Sequence, residues 1–142
     1  TRKMAEHIAQ GIKAADDKVN IKLFNISKSD KNDVILEIFK SKGILLGSST
    51  INRGILSSMA GFIEEIRGLG FKDKKAAAFG SYGWSGESVK VMNDLLKNAG
   101  FSVIDEGIKV LWNPDSSAEE NCINFGKNYA KILNSTTSCK KC

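Results

Sequence analysis

The sequence predicts an α/β domain in which a parallel sheet carries helices on both faces. Three observations predict it. Helix-like and strand-like segments alternate strictly along the chain. The strand-like runs ILLG and KKAAAF are short and continuously apolar, as in strands buried on both faces. The length, 142 residues, suits one domain with a sizeable core.

The elements follow in order. Residues 2–15 place Met4, Ile8, Ile12 and Ala15 at helical spacing. Residues 18–26, KVNIKLFNI, alternate through Val19, Ile21 and Leu23, which predicts a strand. Ser29 or Asp30 is placed to cap a helix running through DVILEIFKSKG to Gly43. ILLG is the next strand. ILSSMAGFIEEIRGLG carries Ile55, Met59, Phe62, Ile63 and Ile66 on one helical face and stops at Gly68 and Gly70. KKAAAF is the third strand, and AFGSYGWSGES leads from it into a helix, ESVKVMNDLLKNAG, that ends at Gly100. FSVIDEGIKVLW is strand-like with a break near Gly107, and AEENCINFGKNYAKIL is the last helix. Doubly wound domains begin with a strand that feeds the first ligand loop. Here the first element is a helix, so four strands are expected rather than five.

Composition narrows the function. The net charge of +5 is spread along the chain, not gathered in a stripe, which argues against nucleic acid and suits an acidic protein partner or an anionic cofactor. No apolar run is long enough to span a bilayer, and no signal-peptide pattern opens the chain. The three cysteines do not make a disulfide framework, so a reducing, cytoplasmic setting is expected. Thr1 is not an initiator methionine, so the chain is expected to be processed, trimmed or part of something longer.

In an open α/β sheet, ligands sit beyond the carboxyl ends of the strands. Two loops there are rich in donors: SSTINRG at 48–54 and GSYGWSGES at 80–88. Neither holds an acid–base pair. GWSGE lacks the spacing of a nucleophile elbow, GSYGWSG is no dinucleotide fingerprint, and neither loop has a P-loop lysine. Asp16 and Asp17 precede a strand, so they cannot serve as a phosphoacceptor pair. His7 lies in the first helix, away from both loops. What remains is a flat, polar-edged, anionic ligand. Glycine-freed backbone groups meet its edge, hydroxyls hold its chain, and Tyr82 or Trp84 lies against its face. The plainer alternative is that Trp84 packs on the sheet rim and the glycines only turn the chain.

GSSTINRGILSSMAGFIEEIRGL followed by KKAAAFGSYGWSGESVKVMNDLLKNAGF resembles the flavodoxin-like domain of flavodiiron proteins (A-type flavoproteins, flavorubredoxins). That family carries a G-S-x-T-x-N segment and then A-F-G-S-[aromatic or His]-G-W-[SG]-G, a helix and a strand apart. The resemblance covers Thr1 to about Ser135. It implies a flavodoxin-like doubly wound parallel sheet of order 2-1-3-4-5, with strand 1 absent from this chain. Residues 1–135 form the FMN domain, and 136–142 a polar tail or linker. It implies FMN at the sheet tip, relaying electrons from a rubredoxin-type donor to a diiron site that reduces oxygen or nitric oxide. That site belongs to a separate metallo-β-lactamase-like domain, and the intact protein is a head-to-tail homodimer or higher. The competing expectation is a cofactor-free interaction module of the same fold.

Carried over by position, Ser48, Ser49, Thr50, Ile51 and Asn52 line one side of the flavin. Gly80, Ser81, Tyr82, Gly83, Trp84, Ser85 and Gly86 line the other, and Thr1 is the last residue of a phosphate loop whose family form ends in G-S-T. The rest of that loop is absent from this chain. Cys139 and Cys142 form a C-x-x-C knuckle like the one that opens a rubredoxin domain. With Cys122 a poor third ligand, no metal site is expected of this chain.

Overall fold

The structure is a computed structural model that describes residues 1–135, so the Cys139–Cys142 knuckle lies outside the described residues. The order is α1 (Arg2–Ala15), α2 (Lys31–Lys40), β1 (Gly43–Gly47), α3 (Ser57–Gly68), β2 (Lys75–Tyr82), α4 (Ser88–Asn98), β3 (Ser102–Val103), β4 (Ile108–Leu111) and α5 (Ser116–Ser135). All pairings between these strands are parallel. β1 pairs along one side of β2. β3 and β4 pair in succession along the other, as two pieces of one strand broken around Gly107. The result is an open parallel α/β sheet with helices on both faces.

β2 is central, and its sequence explains the two-layer cover. Ala76, Ala77 and Ala78 have no exposed surface. With a period of two, Ala76 and Ala78 face one core and Ala77 and Phe79 the other. The first core gathers Phe62, Ile63 and Ile66 of α3 with Met92 and Leu96 of α4. The second gathers Met4, Ile8 and Ile12 of α1 with Cys122, Phe125 and Tyr129 of α5. Each large side chain so buried contributes about 1.5–3 kcal/mol. α1 and α5 meet almost backbone to backbone: a Cβ on Gly11 would strike the Ile123 carbonyl, and one on Gly126 the Ile8 carbonyl. The Tyr129 hydroxyl donates towards the Ile44 carbonyl at 3.1 Å and the Lys75 carbonyl at 3.3 Å, tying α5 to β1 and β2. Burial pushes that phenol well above its ordinary pKa.

Three expectations need correction. Residues 18–26 form no strand. Val19 and Ile21 do turn inward onto the second core, but no described strand lies beside this segment to share a ladder, and a strand needs a partner for its backbone groups. Between this segment, α1 and β1 lies a cleft of about 990 Å³, lined by Ile8, Ile12, Val19, Ile21, Leu45 and Leu46 among others. Second, α2 stops at Lys40, and Gly43 opens β1 instead of closing the helix. Asp30 does cap α2, accepting from the Asn32 N–H at 2.8 Å. Third, β2 runs on through Gly80, Ser81 and Tyr82, so the loop proper begins at Gly83.

Candidate site at the strand tips

Thr1, Ser49 and Ser81 come from the start of α1, the loop after β1 and the end of β2. Their hydroxyls form a closed triangle: Thr1 Oγ1 to Ser81 Oγ is 2.7 Å, Thr1 Oγ1 to Ser49 Oγ 2.9 Å, and Ser49 Oγ to Ser81 Oγ 3.1 Å. Thr1 makes no side-chain cap bond to α1, and the first turn of that helix carries no acid. The first turn of α1, without a side-chain cap, therefore starts beside three hydroxyls that can rotate to donate. Helix N-termini favour anions for this reason.

The loop after β1 is held by its own side chains. Ser48 is fully buried. Its hydroxyl donates to the Ser49 carbonyl and accepts from the Leu56 N–H, both at 3.0 Å, so it shapes the loop from beneath. The Thr50 N–H donates to the Ser81 carbonyl at 2.8 Å, carrying the β1–β2 pairing past the strand end. The Thr50 hydroxyl donates to Ser88 Oγ at 3.0 Å and accepts from the Ser88 N–H at 3.3 Å, capping α4 from outside. Ile51 and Gly54 pair across Asn52 and Arg53, whose φ values are 48° and 61°. Two left-handed central residues are the signature of a type I′ turn. This hairpin stands clear, with Ile51 exposed.

The second loop shows why its glycines are there. A Cβ on Gly80 would lie 2.6 Å from both the Ser48 carbonyl and Ser88 Oγ, so Gly80 lies beneath the tip and lets the first loop and α4 close on β2. Gly86 has φ +72°, and a Cβ there would sit 3.2 Å from Cγ of Tyr82. Tyr82 is thus covered by Gly86 on its own loop, with the Lys109 ammonium 5.8 Å from its ring centroid. Trp84 is different: 96% of it is exposed, so it packs on nothing. Ser85 is exposed as well. The Glu87 carboxyl is held below its ordinary range by a hydrogen bond with Ser85, aided by Arg53 and Lys109, and its Oε2 is sealed from solvent.

A third loop, after β4, reaches the same tips, and no loop motif in the sequence marks it. The Trp112 N–H donates to the Tyr82 carbonyl at 2.8 Å, and the Trp112 ring lies over Gly83. In the sequence this loop shows only as an apolar run that closes on Trp-Asn-Pro. His7 sits between α1 and α5, 3.4 Å from the Glu119 carboxylate. Among the described residues there is no acidic or histidine cluster able to hold a metal, and no helix is long and apolar enough to cross a membrane.

Comparison with known proteins gives this geometry a context. A family model described as Flavodoxin matches residues 1–126. The anaerobic nitric oxide reductase flavorubredoxin of Vibrio vulnificus (strain YJ016) is 49% identical over 132 residues, 93% of this chain and 26% of that protein. The protein of the same name from Klebsiella pneumoniae is 45% identical over 131 residues, 92% of this chain and 27% of its own. Rubredoxin oxygen:oxidoreductase from Desulfovibrio gigas superposes with a TM-score of 0.91 at 32% identity, over 98% of this chain and 34% of that one. A flavodoxin from the domain Archaea superposes with a TM-score of 0.83 at 28% identity, over 94% and 90% of the two chains. The chain spans about a quarter of the length of the curated relatives it matches.

Proposed function

The chain belongs to the flavodoxin family and resembles the flavodoxin-like domain of flavodiiron proteins, and on that premise we propose that it binds FMN at its strand tips and transfers electrons. FMN is the cofactor, and when bound it supplies stepwise acceptance and release of single electrons. The electrons come from a rubredoxin-type donor and pass to a diiron oxygen or nitric oxide reductase site. That site lies on a metallo-β-lactamase-like domain of the same parent polypeptide or of a partner subunit, in a homodimer or larger assembly. The setting is cytoplasmic. The net charge of +5 suits attraction of an acidic carrier protein.

The observation that carries this reading is the shared position of two unlike features. The Thr1–Ser49–Ser81 hydroxyls gather at the uncapped start of α1, and the free Trp84 ring rises from the adjoining loop at the same end of the sheet. The donor set fits a phosphate and hydroxylated chain; the free indole fits a flat ring. Ser49, Ser81 and Thr1 would hold the anionic end. The backbone at Ile51, Asn52, Gly83 and Ser85 would line the ring. Ser48, Thr50, Gly80, Tyr82 and Gly86 would act as positioning residues, since their side chains or their close packing serve the loops.

FMN titration tests the reading. The expected result is saturable binding at one site per chain, quenched flavin emission, and loss of affinity in a Ser49→Ala, Ser81→Ala double variant. A full-length polypeptide carrying this chain that takes up no FMN would instead mark a cofactor-free interaction module.

A further inference from the structure

Trp112 combines a costly backbone with an exposed side chain. Its φ is 55°, in the left-handed region where a bulky residue is an outlier. Asparagine and glycine occupy that region with far less strain. Yet the ring that accompanies the strain is 71% exposed. The ring lies against Gly83, where an added Cβ would be 3.0 Å from its edge at Cη2. A ring so exposed offers little packing to offset the strained backbone. Strain of this kind gathers at functional sites, where the surroundings hold a residue in place for a ligand.

The surroundings here do hold it. The Trp112 N–H is bonded to the Tyr82 carbonyl, and the chain then enters Asn113–Pro114, where proline confines the preceding residue to extended backbone. Pro114 is itself buried. Gly83 lacks the side chain that would push the indole away. The next residue along from Gly83 is Trp84, whose ring stands almost wholly in solvent. One indole at this tip is pre-set and the other is free.

Resting on the reading that the strand tips hold FMN, we propose that Trp112 is a second aromatic binding residue for the flat ring of the cofactor, pre-organised by its left-handed backbone. The chain's own geometry sets a test in which stability and binding move in opposite directions. Trp112→Asn relieves the backbone and removes the ring. Trp112→Phe keeps an aromatic face but not the indole, whose ready donation of an electron quenches flavin emission.

FMN affinity, bound-flavin fluorescence and thermal midpoint are measured on the full-length polypeptide that carries this chain, unaltered and with each substitution. Trp112→Asn is expected to leave the thermal midpoint of the FMN-free protein unchanged or higher while raising the Kd for FMN at least tenfold. Trp112→Phe is expected to hold Kd within about threefold and to leave bound flavin brighter. Unaltered protein that binds FMN, with both variants matching it in Kd and brightness, would overturn this inference alone. Unaltered protein that binds no FMN would overturn the proposed function and this inference with it. A lowered midpoint together with unchanged Kd in Trp112→Asn would make the residue a packing element and also overturn it.

Discussion

Glycine does opposite work in two regions of this molecule. Where α1 crosses α5, Gly11 and Gly126 let two backbones meet in a buried interface. At the strand tips, Gly83 leaves room for an exposed indole beside the free Trp84. The first pair closes space, and the second keeps it open for something else. The lesson is that a glycine in a sequence announces a close approach without saying what approaches.

Substitution separates the two uses. Gly126→Ala drives a methyl into the Ile8 carbonyl, a backbone atom that cannot rotate away. It is expected to cost about 3 kcal/mol, the upper end for overpacking, by urea denaturation. Gly83→Ala meets only the edge of a side chain and is expected to cost less than about 1 kcal/mol. Equal costs would erase the distinction. At the tip itself, Trp84→Ala is expected to change stability by less than about 0.5 kcal/mol, because the ring packs on nothing. The same change is expected to weaken FMN binding by about 1–3 kcal/mol, the range for stacking on an aromatic. A loss of stability with unchanged flavin affinity would mean that Trp84 packs on the rim.

Smaller effects refine the picture. Tyr129→Phe removes the hydroxyl that reaches the Ile44 and Lys75 carbonyls, and about 1 kcal/mol of stability is expected to go with it. Flavin affinity should not move, since this bond lies far along the strands from the tips. The least effect concerns pH. The Glu87 carboxyl is depressed in the folded state, so its contribution is present above the ordinary carboxylate range and is lost as pH falls through the folded value. Glu87→Gln is expected to remove that portion of the acid dependence around the second loop. Hydrogen exchange of the 83–88 amides as pH is lowered would check it, and identical profiles would show that Glu87 plays no part.

The candidate site was only half legible in the sequence. Ser49, Ser81 and Trp84 stand where the loop pattern implied, at the ends of β1 and β2. Ser48 and Gly80 carry the same pattern, but they face inward and serve the loop and the helix approach. A motif specifies positions along a chain; which way each residue faces depends on the pleat and on neighbouring elements. Trp112 is illegible as anything but a strand end, because a tryptophan closing an apolar run reads that way. What sets it apart is a dihedral angle and a contact with Gly83, 29 residues earlier in the chain, neither of which the local sequence shows.

The sequence by itself determined the helices, from their apolar period, and the two strands at ILLG and KKAAAF, from their short apolar runs. It did not set their burial: Ala76, Ala77 and Ala78 are fully buried, whereas in ILLG only Leu46 is buried, because α1 and α5 leave the cleft beside β1 open. Only the tertiary structure decided that 18–26 has no ladder, although its alternation is that of a strand. Alternation says which side chains turn inward, as Val19 and Ile21 do, but hydrogen bonds need a neighbouring backbone, and that is a long-range fact. Tertiary structure likewise decided the hydroxyl triangle. Thr1, Ser49 and Ser81 are 48 and 32 residues apart in succession, and only the parallel stacking of β1 and β2 beside the start of α1 brings them within 3.1 Å.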